Sequence, residues 1–155
     1  MAINTDLLMM MLQISLAALL GMVIGFEREK MGKPAGLRTY MLVSMGSALF
    51  TLMSVNGFGE FIGSTSYDPS RIIGQIIVGV GFLGAGIIFF TKTEVRGLTT
   101  AAAVWVSSAI GISVGLRFYA IAIYVTILTV LILWAVRVLE AKIGTKPEGK
   151  SDEVS

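Results

Sequence analysis

Residues 7–26 read LLMMMLQISLAALLGMVIGF, a run without an ionisable side chain or a proline, closed by the charged residues Glu27, Arg28, Glu29 and Lys30. About 20 mostly apolar residues suffice for a helix to cross the hydrocarbon layer of a bilayer. Outward from this stretch, four more such runs follow, at 40–58, 72–90, 98–116 and 118–136. In lipid every backbone polar group must be satisfied within its own segment, which requires helices here. Barrel strands would instead alternate polar and apolar positions over about ten residues. Pro34, Pro69 and Pro147 all fall outside the runs. The sequence therefore predicts an all-α, polytopic membrane protein: a five-transmembrane-helix bundle in residues 1–140, then a polar tail over 141–155. No basic residue precedes the first run and no small-residue cleavage site follows it, so it is expected to stay as a helix rather than leave as a signal peptide.

Composition agrees. Of 155 residues 55% are hydrophobic and 14% charged, against about 25% charged in soluble domains, and the mean hydropathy is +0.83. A chain this apolar cannot cover its own surface in water. The absence of cysteine excludes disulfides, thiolate metal sites and cysteine nucleophiles; the absence of histidine removes the commonest general base. Charge then sets the orientation. With the N-terminus outside, the inner segments hold Arg28, Lys30, Lys33, Arg38, Lys92, Arg96, Arg137, Lys142, Lys146 and Lys150, and the outer ones only Arg71 and Arg117. That asymmetry predicts an N-out, C-in chain with a cytoplasmic tail.

At 100° per residue, side chains sort into faces. Gly21 and Gly25 lie with Gln13, Ala17 and Arg28 on one side of the first run. Tyr40, Ser44, Ser47, Thr51 and Ser54 form a polar stripe along the second, and Thr100, Ser107, Ser108, Gly111 and Gly115 share a face of the fourth. The third carries small residues on two sides: Gly79 and Gly86 with Gln75 on one, Gly74, Gly81, Gly84 and Ala85 on the other. Small residues let membrane helices approach closely, so Gly21, Gly25, Gly79, Gly81, Gly84, Gly86, Gly111 and Gly115 are expected to pack helices. The two-sided third helix is expected at the bundle centre and the fifth at the periphery. The stripe on the second fits either a hydrogen-bonded interface or a water-lined crevice.

Two motifs suggest chemistry without its means. Gly79-Val80-Gly81-Phe82-Leu83-Gly84 matches a dinucleotide fingerprint but sits inside an apolar run, with no preceding strand and no acid at the required distance. Gly111-Ile112-Ser113-Val114-Gly115 matches a hydrolase serine motif but has no histidine to activate it, and the lysines belong to the other membrane face. No catalytic residue is assigned and no enzyme is expected.

The charged clusters say more. Glu27, Arg28 and Glu29 end the first run, Arg38 precedes the second, and Glu94 and Arg96 join the third to the fourth. Acids contribute little to topology, so these need another reason: ion pairs with Arg28, Arg38 and Arg96, or coordination of a hard cation such as magnesium. Asp68-Pro69-Ser70-Arg71 reads as a helix cap with proline in the first turn, and Arg71 and Gln75 share a face one turn apart. Glu27 and Asp68 are the candidate metal ligands; no other cofactor is expected.

Gly21 to Glu29, Lys33 to Thr39 (KPAGLRT), Asp68 to Ile88 (DPSRIIGQIIVGVGFLGAGII) and Val95 to Trp105 (VRGLTTAAAVW) resemble the MgtC/SapB family. The resemblance implies a bacterial inner-membrane protein linked to growth under magnesium limitation. It further implies a regulator, since the virulence-associated member is thought to bind the membrane sector of the F-type ATP synthase. That member carries a cytoplasmic C-terminal domain, and this chain is expected to be the membrane module alone. The leading expectation is a regulatory or interaction protein modulating such a partner, with Gly21 and Gly25 as its docking face; the alternative is a magnesium or other small-ion transporter or channel subunit. Membrane lipid and a second copy of the chain, most simply a dimer, are further expected partners, and nucleic acid is not.

Overall fold

The structure, a computed structural model, describes residues 5–57, 67–91 and 94–143. It is built of five helices: α1 (Thr5–Lys30), α2 (Leu37–Asn56), α3 (Pro69–Ile87), α4 (Leu98–Gly115) and α5 (Tyr119–Ile143). Between α3 and α4 lies a two-stranded antiparallel ladder, β1 (Phe89–Phe90) on β2 (Val95–Arg96), with Phe89 opposite Arg96 and Phe90 opposite Val95. The all-helical class is the one the apolar runs predict. Four helices, α1, α3, α4 and α5, are long and apolar enough to cross a membrane. The fifth, α2, has the length but carries the polar stripe.

Helix ends follow local chemistry. α1 absorbs the charged run 27–30 and stops where Gly32 takes a left-handed backbone (φ 63). There Lys33 N–H reaches the Arg28 carbonyl and Gly32 N–H the Glu29 carbonyl, at 3.1 and 3.0 Å, which closes the helix with a Schellman motif. α4 ends the same way, with Arg117 (φ 66) in the left-handed position and Phe118 N–H on the Ser113 carbonyl. The chain reverses within three residues, so α4 and α5 are antiparallel neighbours. The apolar run 72–90 outlasts its helix: α3 starts at Pro69, stops at Ile87, and hands Phe89 and Phe90 to the ladder. Of the tail, 141–143 extend α5; residues 1–4, 58–66, 92–93 and 144–155 lie outside the described residues, and with them Lys92, Lys146 and Lys150.

Packing corrects the expected centre. α4, not α3, touches all four other helices. α1, α2 and α4 form a tight core whose interior is small and hydroxylated: Ala17, Gly21, Ser44, Ser47, Ala48, Thr51, Ser107, Ser108 and Gly111 are buried, while Phe82 and Phe90 are 82% and 80% exposed. Water would not tolerate that inversion; lipid does, because apolar side chains gain nothing by leaving hydrocarbon and association falls to close packing and hydrogen bonds. A Cβ at Gly21 would meet the Tyr40 carbonyl and Ser44, one at Gly111 the Ser44 carbonyl, and one at Gly115 the Thr51 side chain.

The stripe on α2 is the other half of this seam. Ser107 Oγ donates to the Tyr40 carbonyl (3.1 Å), Tyr40 O–H to the Thr100 carbonyl (3.3 Å), and Ser47 and Ser108 share a bond of 2.8 Å. Gln13 Nε2 of α1 donates to the Val114 carbonyl of α4 at 2.8 Å. Of the two readings of the stripe, the hydrogen-bonded interface is the one found.

α3 is an outer helix with Val80 as its buried residue. Gly84 touches Ala101 of α4, but a Cβ at Gly74, Gly79, Gly81 or Gly86 would meet nothing within 4 Å. The expectation that Gly79, Gly81 and Gly86 pack helices therefore fails within the chain. Glycine alone does not mark an interface; it needs a partner that fits, and α4 offers its hydroxyl face to α2.

Candidate functional site

At the end of the bundle where α1 and α5 finish and α4 begins lies a cavity of about 580 Å³. The end of α1 and its following loop contribute Arg28, Met31 and Lys33; the ladder contributes Phe89 and Arg96; α4 contributes Thr99 and Thr100; α5 contributes Ile132, Val136, Arg137 and Glu140. The ladder is what brings Arg96 here. Thr91 N–H bonds the Glu94 carbonyl at 2.9 Å and turns the chain back. Gly97 then adopts φ 89 against the Ile87 carbonyl, where a side chain would collide, and α4 starts without a side-chain cap.

The charged residues singled out in the sequence divide. Arg28 is 3% exposed and its Nε bonds Glu27 Oε2 at 2.5 Å, leaving Glu27 Oε1 buried without a partner. Glu29 turns the other way: its carboxylate accepts the N–H of Leu37 at 2.8 Å and so caps α2 across the loop. A carboxylate there also complements the positive end of that helix. Glu94 pairs with Arg96 at 3.4 Å in a largely exposed contact. Arg38 is exposed and stands outside the cavity lining. Each of the three acids thus meets a cation or a backbone amide, and among the described residues no three acidic side chains gather as a metal site. Arg28 and Arg96 share the cavity. Lys33, Arg137 and Glu140 join them there; from sequence Lys33 and Arg137 count toward the charge asymmetry, and Glu140 is not singled out.

At the opposite end Asp68 caps α3 as its sequence suggests, its carboxylate accepting Ser70 N–H at 2.9 Å. Arg71 and Gln75 are exposed. The hydrogen bonds from the Ser70 side chain and backbone, with Arg71 nearby, hold the Asp68 carboxyl below its ordinary range. A depressed acid contributes stability that is present above its unfolded pKa and lost as pH falls through the folded one. Protection of the amides in the first turn of α3, taken relative to their intrinsic exchange rate at each pH, should accordingly fall on acidification below the usual carboxylate range. Asp68→Asn, which keeps the cap without the titration, should flatten that response.

A hydroxylated seam, an outer shell of apolar side chains and four helices fit to cross a bilayer define a polytopic membrane protein. The sequence profile of the MgtC family matches residues 14–142. The chain belongs to the MgtC family. It is 45% identical over 124 residues to the Escherichia coli (strain K12) protein named "Putative magnesium transporter YhiD", covering 79% of this chain and 58% of that one. Protein SapB of Bacillus subtilis (strain 168) is 38% identical over 142 residues, 87% of this chain and 60% of SapB. Protein MgtC of Brucella abortus (strain 2308) is 48% identical over 99 residues, 64% of this chain and 39% of that protein. The chain thus spans less than two thirds of the length of these relatives. No solved structure matches it significantly.

Proposed function

We propose that this chain is a regulatory or interaction protein of the bacterial inner membrane, with all five helices spanning, the N-terminus out and the C-terminus in, which docks a helix of another membrane protein. One observation carries the reading: α3 presents Gly74, Gly79, Gly81 and Gly86 to open space, and small-residue faces are where membrane helices approach one another. Gly21 and Gly25, the docking face expected from sequence, are instead occupied by the backbone of the α1–α2 loop and α2. The membrane sector of the F-type ATP synthase is the candidate partner that the family resemblance supplies. A second copy of the chain competes for these two faces of α3. Ten of the twelve cations on one side support the orientation.

The name of the E. coli relative favours a second reading, transport of magnesium or another small ion. Against it, Gln13, Ser47, Ser107 and Ser108 deep in the bundle make helix-to-helix hydrogen bonds and no ionised side chain lies among them, whereas ion pathways through membranes usually carry charge at depth. The test has two arms. Chain purified from membranes of magnesium-limited cells should bring a partner with it, and Gly79→Leu with Gly86→Leu should lose that partner at unchanged melting temperature. Capture of only a second copy, or of nothing specific, overturns the docking of another protein. Liposomes holding the purified chain should show no magnesium flux above empty vesicles; flux that Glu27→Gln abolishes would establish the transport reading instead.

A further inference from the structure

The cavity at the basic end takes no part in the reading above, and its lining divides into two chemistries. Arg28, Lys33, Arg96 and Arg137 bring cations from the end of α1, its loop, the ladder and α5, against one lining acid, Glu140. With Glu27 beside Arg28 and Glu94 beside Arg96, the surplus stays positive. The Nε of Arg96 is buried with no acceptor, and a guanidinium donor without a partner is costly unless something supplies an oxygen. The amino end of α4, whose N-cap Gly97 offers no side-chain cap, places Thr99 and Thr100 in the lining and adds the positive pole of a helix dipole. The other wall is apolar. Phe89, Ile132 and Val136 line it while remaining about half exposed to the surroundings of the bundle.

We propose that this cavity binds a phosphate-bearing anion, its oxygens held by Arg96, Arg137 and the amino end of α4. The apolar wall on α5 makes the fit that of an anionic phospholipid headgroup, with the acyl chains running along Ile132 and Val136. A soluble phosphate would use the same donors but leave that wall unused. Basic pockets between helices at a membrane face have the chemistry to bind such headgroups.

Delipidated full chain in neutral detergent is titrated with phosphatidylglycerol, with phosphatidylcholine and with inorganic phosphate, following thermal unfolding and lipid retention in native mass spectrometry. Phosphatidylglycerol should be retained and raise the melting temperature several degrees beyond phosphatidylcholine. Arg96→Gln and Arg137→Gln should each weaken its retention by about tenfold, the scale of one charge-assisted bond. Lys30→Gln, an exposed cation just before the loop and outside the lining, should leave retention unchanged. Arg96→Lys, which keeps charge without the fork, should fall between. If Arg96→Gln does not fold, Arg137→Gln, on the last turns of α5, decides. Inorganic phosphate matching phosphatidylglycerol would assign the site to a soluble anion and overturn the lipid. Equal response to both lipids, or Arg137→Gln behaving as Lys30→Gln does, would overturn the site altogether.

Discussion

Gly111→Ala should destabilise the bundle by about 3 kcal/mol, near the upper end of what overpacking costs, while Gly79→Ala should change it by less than about 0.5 kcal/mol, as surface substitutions do. Both changes add one methyl to a helix, and alanine has the better helical propensity. The difference is what the methyl meets. At Gly111 it runs into the Ser44 carbonyl and the Ser47 Cβ of α2. Backbone cannot swing aside as a flexible side chain can, so α2 and α4 must part. Parting them stretches the Ser47–Ser108 bond and the Ser107 bond to the Tyr40 carbonyl, which hold the seam. At Gly79 the methyl meets nothing. Unfolding by denaturing detergent measures both; equal stability of the two variants would show that the seam is looser than its geometry.

Arg28→Met should cost about 3–5 kcal/mol, the range for removing one partner of a buried ion pair. The methionine fills much the same space, so the loss is electrostatic. The Arg28 and Glu27 side chains are 4% and 14% exposed, and Glu27 already has one oxygen without a partner. Taking away the guanidinium leaves the whole carboxylate stranded. Glu27→Gln added to Arg28→Met should recover a large part of the loss, because an amide is less costly to leave unpaired than a charge. A double variant no better than Arg28→Met would mean that Arg28 acts through packing, its aliphatic stem being as buried as its head.

Much of the frame could be read from local rules. Apolar run lengths predict the helices and Asp68-Pro69-Ser70 the cap on α3, because each depends on residues a few positions apart. The centre of the bundle could not be read that way. α3 and α4 both carry glycines at helical spacing, and what separates them is the opposite surface: α4 faces a carbonyl-bearing, hydroxylated α2 while α3 faces outward. The hydroxyls held a usable signal, since α4 has Thr100, Ser107 and Ser108 along its length to answer the stripe on α2, while α3 beyond Ser70 and Arg71 in its first turn has only Gln75. The charged residues split along the same line. Glu27–Arg28 and Glu94–Arg96 are neighbours in sequence and pair as such. Glu29 reaching Leu37, or Arg137 and Glu140 sharing a cavity with Arg96, depends on a loop shape and on two helices ending at one level. No spacing encodes either.

That α4 is central although fourth in the chain bears on biogenesis. The hydroxyl that answers Ser47 is 61 residues further on, roughly 3–12 s of synthesis at about 5–20 residues per second. For that interval the stripe on α2 is unanswered by α4, and α2 is the one of the five helices outside the set long and apolar enough to cross a membrane by length and composition. On the proposed five-span topology its insertion would be joined to that of α1, whose Gly21 lies against the Tyr40 carbonyl of α2. With all five helices spanning as proposed above, α1 and α2 would enter the bilayer as a helical hairpin that α4 later locks.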